Sequence, residues 1–305
     1  YSFHLTPAEY GEVTLYFLFM AVVQTFYFYG LDIAYLRYFG LSKEPAEQKR
    51  ITGTAVTLCL LTSAAFTLII WLFSGPLGHV LIKSPVHPEI TAPMIRICAG
   101  ILFFDTLSTF PFILLRGLMR PVRFATVKLV NVAVNIALNI WFVGTLDLSV
   151  SGILWANLIA SAVSLFVLLP DLLRFFKPVI DRSLLSEMVM FGLPNVPTYL
   201  FVMLVELADR KFVEVYRGLE EAGLYSAGYK LGMFMAVVTG AFRFAWQPFF
   251  LSHAQEENAP RLFARVMTYY LLITATLFLG LSFFVYPLVT HRWPGVGYLI
   301  APSYW

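Results

Sequence analysis

The sequence predicts an all-α polytopic membrane protein with about eight transmembrane helices. Three observations carry this reading. Of 305 residues, 59% are apolar and only 13% are charged, roughly half the charged share of a soluble domain. Mean hydropathy is correspondingly high, at +0.76. Eight apolar runs are long enough to cross a hydrocarbon core of about 30 Å, and Lys and Arg gather in alternate connections between them. The net charge of +3 is small, and no basic run points to nucleic acid.

The runs follow one another with short connections. Val13–Leu31, Ile51–Phe73, Leu129–Leu146, Leu148–Pro170, Met188–Val205 and Val266–Thr290 carry no charge. Residues 93–115 form the third span and contain Arg96 and Asp105, while residues 222–247 form the seventh and contain Lys230 and Arg243. Arg37, Lys43, Lys49 and Arg50 follow the first span, and Arg116, Arg120 and Arg123 follow the third. Arg174, Lys177 and Arg182 follow the fifth, and Arg261 and Arg265 follow the seventh. By the positive-inside rule these connections face the cytoplasm. The connection after the sixth span breaks the pattern with Arg210, Lys211 and Arg217, although it is also acidic. The chain starts at Tyr1 with no leader pattern and stops within an apolar stretch. It therefore reads as an internal segment of a longer protein.

PAEYGEVTLY leads into the first span and EEAGLYSAGY into the seventh, and FMAVV recurs at 19–23 and 234–238. That offset predicts a parallel repeat, with residues 1–174 and 175–305 as partial lobes.

The segment VKLVNVAVNIALNIWFVG poses the sharpest question. Lys128, Asn131, Asn135 and Asn139 recur along one helix face. A carboxamide turned to lipid leaves its donors and acceptors unpaired. The stripe therefore bonds a neighbouring helix or lines a hydrated cavity, and we expect the cavity. Asn157, Ser161 and Ser164 on the next span offer a partner face.

Ionisable groups at membrane depth are functional candidates. Asp105 in LFFDTLSTFPF lies deepest, although a protonated interhelical hydrogen bond explains it equally well. Asp32 and Arg37 share YGLDIAYLRYFG, a continuation of the first span. Glu206 and Arg210 have ion-pair spacing at the end of the sixth, with Asp209 beside them. Lys230 and Arg243 bracket a stretch too short to span, so at least one is expected within the protein. Pro111, Pro194, Pro197 and Pro248 predict bends. Cys59 and Cys98 lie in apolar runs and read as buried thiols. No nucleophile elbow, zinc-protease motif or phosphate loop is present, and the five His residues are scattered. No catalytic residue, metal or cofactor is expected.

LTPAEYGEVTLY, GLDIAYLRYF, NVAVNIALNI with SGILWANLIAS, FGLPNVP, ADRKF, EEAGLYSAGYKLG and FRFAWQPFF carry a resemblance over nearly all the chain. In order and spacing they resemble the oligosaccharide flippases of the multidrug/oligosaccharidyl-lipid/polysaccharide exporter superfamily. That resemblance implies a two-lobe MATE-like fold of 12–14 helices, of which this chain supplies the second to ninth. It also implies a bacterial or archaeal cytoplasmic membrane. The implied substrate is an undecaprenyl-diphosphate-linked sugar unit, and polysaccharide polymerase and chain-length proteins are the implied partners. Lys128, Lys230, Arg243, Arg37 and Arg116 would face phosphate, the Asn residues would face sugar hydroxyls, and Tyr199, Tyr229 and Trp246 would stack on sugar rings. Asp32, Asp105, Glu206, Asp209 and Arg210 would form ion pairs or gates. A cation-coupled multidrug exporter is the alternative within the superfamily. A membrane-embedded sugar polymerase or ligase is the alternative from another class.

Overall fold

A computed structural model describes residues 7–81, 88–217, 219–254, 256 and 258–291. Among these residues helices are the only regular secondary structure. The elements are α1 (Pro7–Phe28), α2 (Leu31–Leu41), α3 (Pro45–Leu72), α4 (Ser74–Leu81), α5 (Pro88–Gly117), α6 (Pro121–Gly144), α7 (Ser149–Leu173), α8 (Arg182–Gly192), α9 (Asn195–Arg217), α10 (Leu219–His253) and α11 (Ala259–Thr290). Among the described residues, seven helices are long and apolar enough to cross a membrane, and eight if the bent pair of α1 and α2 counts as one span. The eight spans expected from hydropathy are therefore present.

Two spans are broken where the sequence suggested continuity. The first bends by 46° between α1 and α2. Gly30 sits at the bend with φ of 78°, a left-handed conformation that costs other residues a Cβ clash. The sixth is interrupted at Leu193 and Pro194, between α8 and α9. Pro lacks the N–H that would continue the ladder. The two breaks touch, because a Cβ built on Gly192 would lie 2.6 Å from the Gly30 carbonyl oxygen. α4 is a short extra helix in the connection before α5.

By internal contacts the chain divides into residues 1–200 and 201–305. In the first unit α5 is the central and most buried helix. Tyr16 and Met20 of α1, Ile95, Cys98 and Leu102 of α5, and Ile153 and Leu154 of α7 share one core. Several hydroxyls within the spans pair with one another, out of reach of water. Tyr27 Oη pairs with Thr67 at 2.9 Å and Tyr35 Oη with Thr52 at 3.0 Å. Asp181 caps α8 by accepting from the Ser183 and Leu184 amides and meets Arg50 at 3.3 Å. Cys59 and Cys98 are free thiols, both buried. In the second unit α10 packs along α11, with Trp246 among Phe242, Phe249, Phe250 and Phe263.

Candidate functional site

The Asn stripe of α6 lies against α7, and a cavity of about 430 Å³ opens beside it. Lys128, Asn131 and Asn135 from α6, Asn157, Ser161 and Ser164 from α7, Asp105 and Ser108 from α5, and Gln24 from α1 line it. Two of the three ladder carboxamides line this cavity and also bond α7. Asn131 donates to the Ala160 carbonyl at 2.9 Å and to Ser164 Oγ at 2.8 Å. Asn135 donates to Asn157 Oδ1 at 3.1 Å. The carboxamides bind α6 to α7 and form the cavity wall at the same time. Asn139, one turn further on, is buried beside the cavity and donates to Asn135 O and Oδ1 at 2.8 and 2.9 Å. On the far side of α6, Leu129, Val132, Ile136 and Ile140 are exposed. Polar residues therefore mark one face and apolar residues the other, as a helix half-buried in protein requires.

Asp105 and Lys128 are the cavity's two charges, and each lies in the field of the other. Ser161 lines the cavity on the side of Asp105 and acts on the same carboxylate. The Lys128 ammonium also stands 4.3 Å from the Phe112 ring centroid, a cation–π contact. A lone charge at this depth would be costly. An opposite pair presents a site with no net charge. Gln24 is anchored by donating to Thr106 Oγ1 at 3.1 Å.

A second cluster lies at the bend. Tyr199 Oη donates to Asp32 Oδ2 at 3.3 Å, and the Arg116 charge acts on the same carboxylate. The three come from α9, α5 and α2. Arg37, one turn along α2, is exposed and stands 4.3 Å from the Phe191 ring centroid. In the second unit, Tyr225 Oη donates to Asp209 Oδ2 at 2.7 Å. Arg243 is exposed on α10. The side chains of Glu206, Arg210 and Lys230 lie outside the described residues. The structure thus brings Lys128, Asn131, Asn135 and Asp105 to one cavity and Asp32 and Arg116 to a separate cluster. Gln24, Ser108, Thr109 and Phe28 line the cavity without any advance signal, since isolated polar residues and Phe are ordinary in apolar helices. Among the described residues, no three His, Cys, Asp or Glu gather as metal ligands.

Solved transporters share this architecture. A MATE structure in the straight conformation aligns with a TM-score of 0.72 at 19% identity, covering 93% of this chain and 66% of that one. The Vibrio cholerae MATE transporter VcmN in the bent form aligns with a TM-score of 0.74 at 18% identity, covering 88% and 64%. An outward-facing multidrug resistance MATE family transporter of the MOP superfamily gives 0.70 at 16% identity, covering 94% and 66%. The chain spans about two thirds of their length, and at these identities the likeness is one of fold. No curated protein matches its sequence. A family described as polysaccharide biosynthesis protein matches residues 4–292, and the chain belongs to that family.

Proposed function

We propose that the protein is a flippase for lipid-linked oligosaccharides, moving polysaccharide repeat units across a bacterial or archaeal cytoplasmic membrane. The observation that supports this best is the polar, charge-balanced cavity inside the helix bundle of a polysaccharide biosynthesis family member. Such a substrate has three chemically distinct parts. Its glycan needs many neutral hydrogen-bonding groups out of contact with lipid, which Asn131, Asn135 and Asn157 supply. Its diphosphate needs cationic counter-charge, for which Arg243, Lys230, Arg37 and Arg116 are the candidates. Its lipid tail stays in the bilayer. Broken helices suit alternating access, in which the cavity opens to one side of the membrane at a time.

The whole-protein test is genetic. Deleting the gene should abolish surface polysaccharide and leave its lipid-linked precursor on the cytoplasmic leaflet. The full-length gene should restore export, and Asn131→Leu should not, at equal expression. Normal polysaccharide in the deletion strain, together with increased drug sensitivity, would instead assign the protein as a drug exporter.

A further inference from the structure

The α5–α6–α7 cavity has a hydrogen-bonding pattern that selects among the parts of such a substrate. Asn131 uses both N–H groups, on Ala160 O and Ser164 Oγ. Its carbonyl oxygen is thereby left as the acceptor that Asn131 brings to the cavity wall. Asn135 gives one N–H to Asn157, and Asn157 gives one to the Ile153 carbonyl. Each keeps a second N–H. Ser108 lines the cavity and is only 4% exposed, and its hydroxyl has no hydrogen-bond partner among the described residues. A buried polar group in this state is costly unless something answers it. Lys128 adds a donor and Asp105 an acceptor.

The wall thus offers donors and acceptors side by side, with no net charge. A phosphate, which only accepts, leaves Asn131 Oδ1 and Asp105 facing its oxygens. An ammonium ion, which only donates, meets Lys128 and the two carboxamide N–H groups. A hydroxyl does both, and a ring of hydroxyls answers the whole wall. The volume of about 430 Å³ sits at the small end of ligand sites, which run from ~300 to ~1,000 Å³. Phe28 adds an apolar patch for C–H groups.

From this arrangement we infer that the cavity is a subsite for an uncharged sugar residue, and that the Asp105–Lys128 pair sets its preference for neutral over acidic or amino sugars. The inference rests on the carbohydrate reading above and adds to it the part of the substrate bound and the basis of selection. The diphosphate then binds elsewhere.

The test uses the full-length protein in lipid nanodiscs, with saturation-transfer NMR titrations. The probes are neutral methyl hexosides of the gluco, galacto and manno series, methyl glucuronide, methyl glucosaminide and inorganic pyrophosphate. The wild type should bind at least one neutral hexoside about tenfold more tightly than the charged probes, a difference of ~1.4 kcal/mol. Asp105→Asn leaves Lys128 unbalanced and should move the preference to the glucuronide. Lys128→Gln should move it to the glucosaminide, because a charge-assisted hydrogen bond is about twice as strong as a neutral one. Ser108→Ala removes an unanswered hydroxyl, so it should weaken neutral-hexoside binding several-fold while the melting temperature holds or rises. The subsite is overturned if pyrophosphate or a charged glycoside binds as well as the neutral ones. It also fails if the two charge variants leave the order unchanged, or if no neutral hexoside gives saturable transfer. Failure here with precursor transport intact leaves the flippase reading standing. Charge-swapped binding in a protein whose deletion leaves polysaccharide export normal removes the flippase reading and keeps the subsite.

Discussion

Replacing Gly30 by Ala should destabilise the first unit more than any other single methyl addition at the two helix breaks. Gly30 has φ of 78°, so an L side chain there carries a left-handed penalty of ~1–2 kcal/mol. Its Cβ would also lie 2.7 Å from Gly192 Cα, with the Gly192 carbonyl closer still. Both obstacles are backbone, so relief requires the α1–α2 bend and the α8–α9 break to separate. An opening of ~0.5–1 Å forfeits about a quarter to a half of the contact attraction between the faces, and such overpacking typically costs ~1–3 kcal/mol. Gly30→Ala should therefore cost about 2–5 kcal/mol. At ~2–4 °C per kcal/mol for a unit of this size, the melting temperature falls by roughly 4–20 °C. Gly192→Ala meets the Gly30 carbonyl carbon at 2.7 Å but carries no positive-φ penalty, and should lose less. Gly30→Asn separates the two causes, because Asn tolerates the left-handed region and still brings a Cβ. The assay is thermal unfolding of the full-length protein in nanodiscs, read by the monodisperse fraction remaining. Wild-type melting for Gly30→Ala, or a larger loss for Gly192→Ala, would refute the reasoning.

Tyr199→Phe removes the hydroxyl that α9 presents to Asp32 and should cost about 1 kcal/mol. Asp32→Asn in the same background should add less than it does alone, and strict additivity in the double-mutant cycle would show the contact to be idle. Asp181 lies before α8, outside the spans. The Ser183 hydroxyl first, and the Leu184 amide next, hold its carboxyl below the usual carboxylate range. A depressed folded value contributes stability above the unfolded value of about 3.9, and that contribution is lost as pH falls through the lower folded value. Amide exchange at Leu184 and Leu185 should therefore accelerate on acidification below about pH 4. It should be fast at all pH in Asp181→Ala and free of that acid step in Asp181→Asn, which still caps.

The spans were legible because each apolar run exceeds the length the bilayer demands, and no soluble alternative hides so many aromatic residues. The Asn stripe was legible because helical periodicity puts 131, 135 and 139 on one face whatever that face meets. Its partners on α7 were legible for the same reason. Less visible was the bend at Gly30. One Gly in an apolar run signals either a break or a close approach, and here it serves as both. Pro194 marked the second break only as a bend. Asp105 and Lys128, which share the cavity, lie 23 positions apart on different helices, and Tyr199–Asp32 joins groups 167 apart. Neither spacing has a period to betray it. Ser108 and Gln24 gave no warning, because a single polar residue in a span is usually satisfied locally by the preceding turn, as Thr106 is by the Leu102 carbonyl.

Asn139 shows how the ladder divides its labour. Its amide nitrogen donates twice to Asn135, to the carbonyl and to the side-chain oxygen, while its own Oδ1 is buried with no partner among the described residues. A residue chosen only to join helices would not carry that cost of ~1–3 kcal/mol. The bond to Asn135 Oδ1 fixes which end of the Asn135 carboxamide points across to Asn157 and which N–H remains for the cavity, a choice the carboxamide's near-symmetry otherwise leaves open. Asn139 is thus a positioning residue. Asn139→Leu removes the unanswered oxygen and places apolar volume at a buried position, so stability should change by less than about 1 kcal/mol or improve. Affinity for a neutral methyl hexoside should nevertheless fall several-fold, because Asn135 then samples both orientations. Asn139→Asp, which keeps shape but offers Asn135 only acceptors, should reverse the preferred orientation and weaken binding as well. If Asn139→Leu lowers stability by several kcal/mol and leaves hexoside binding intact, the residue is packing alone and the ladder's role in the cavity ends at Asn135.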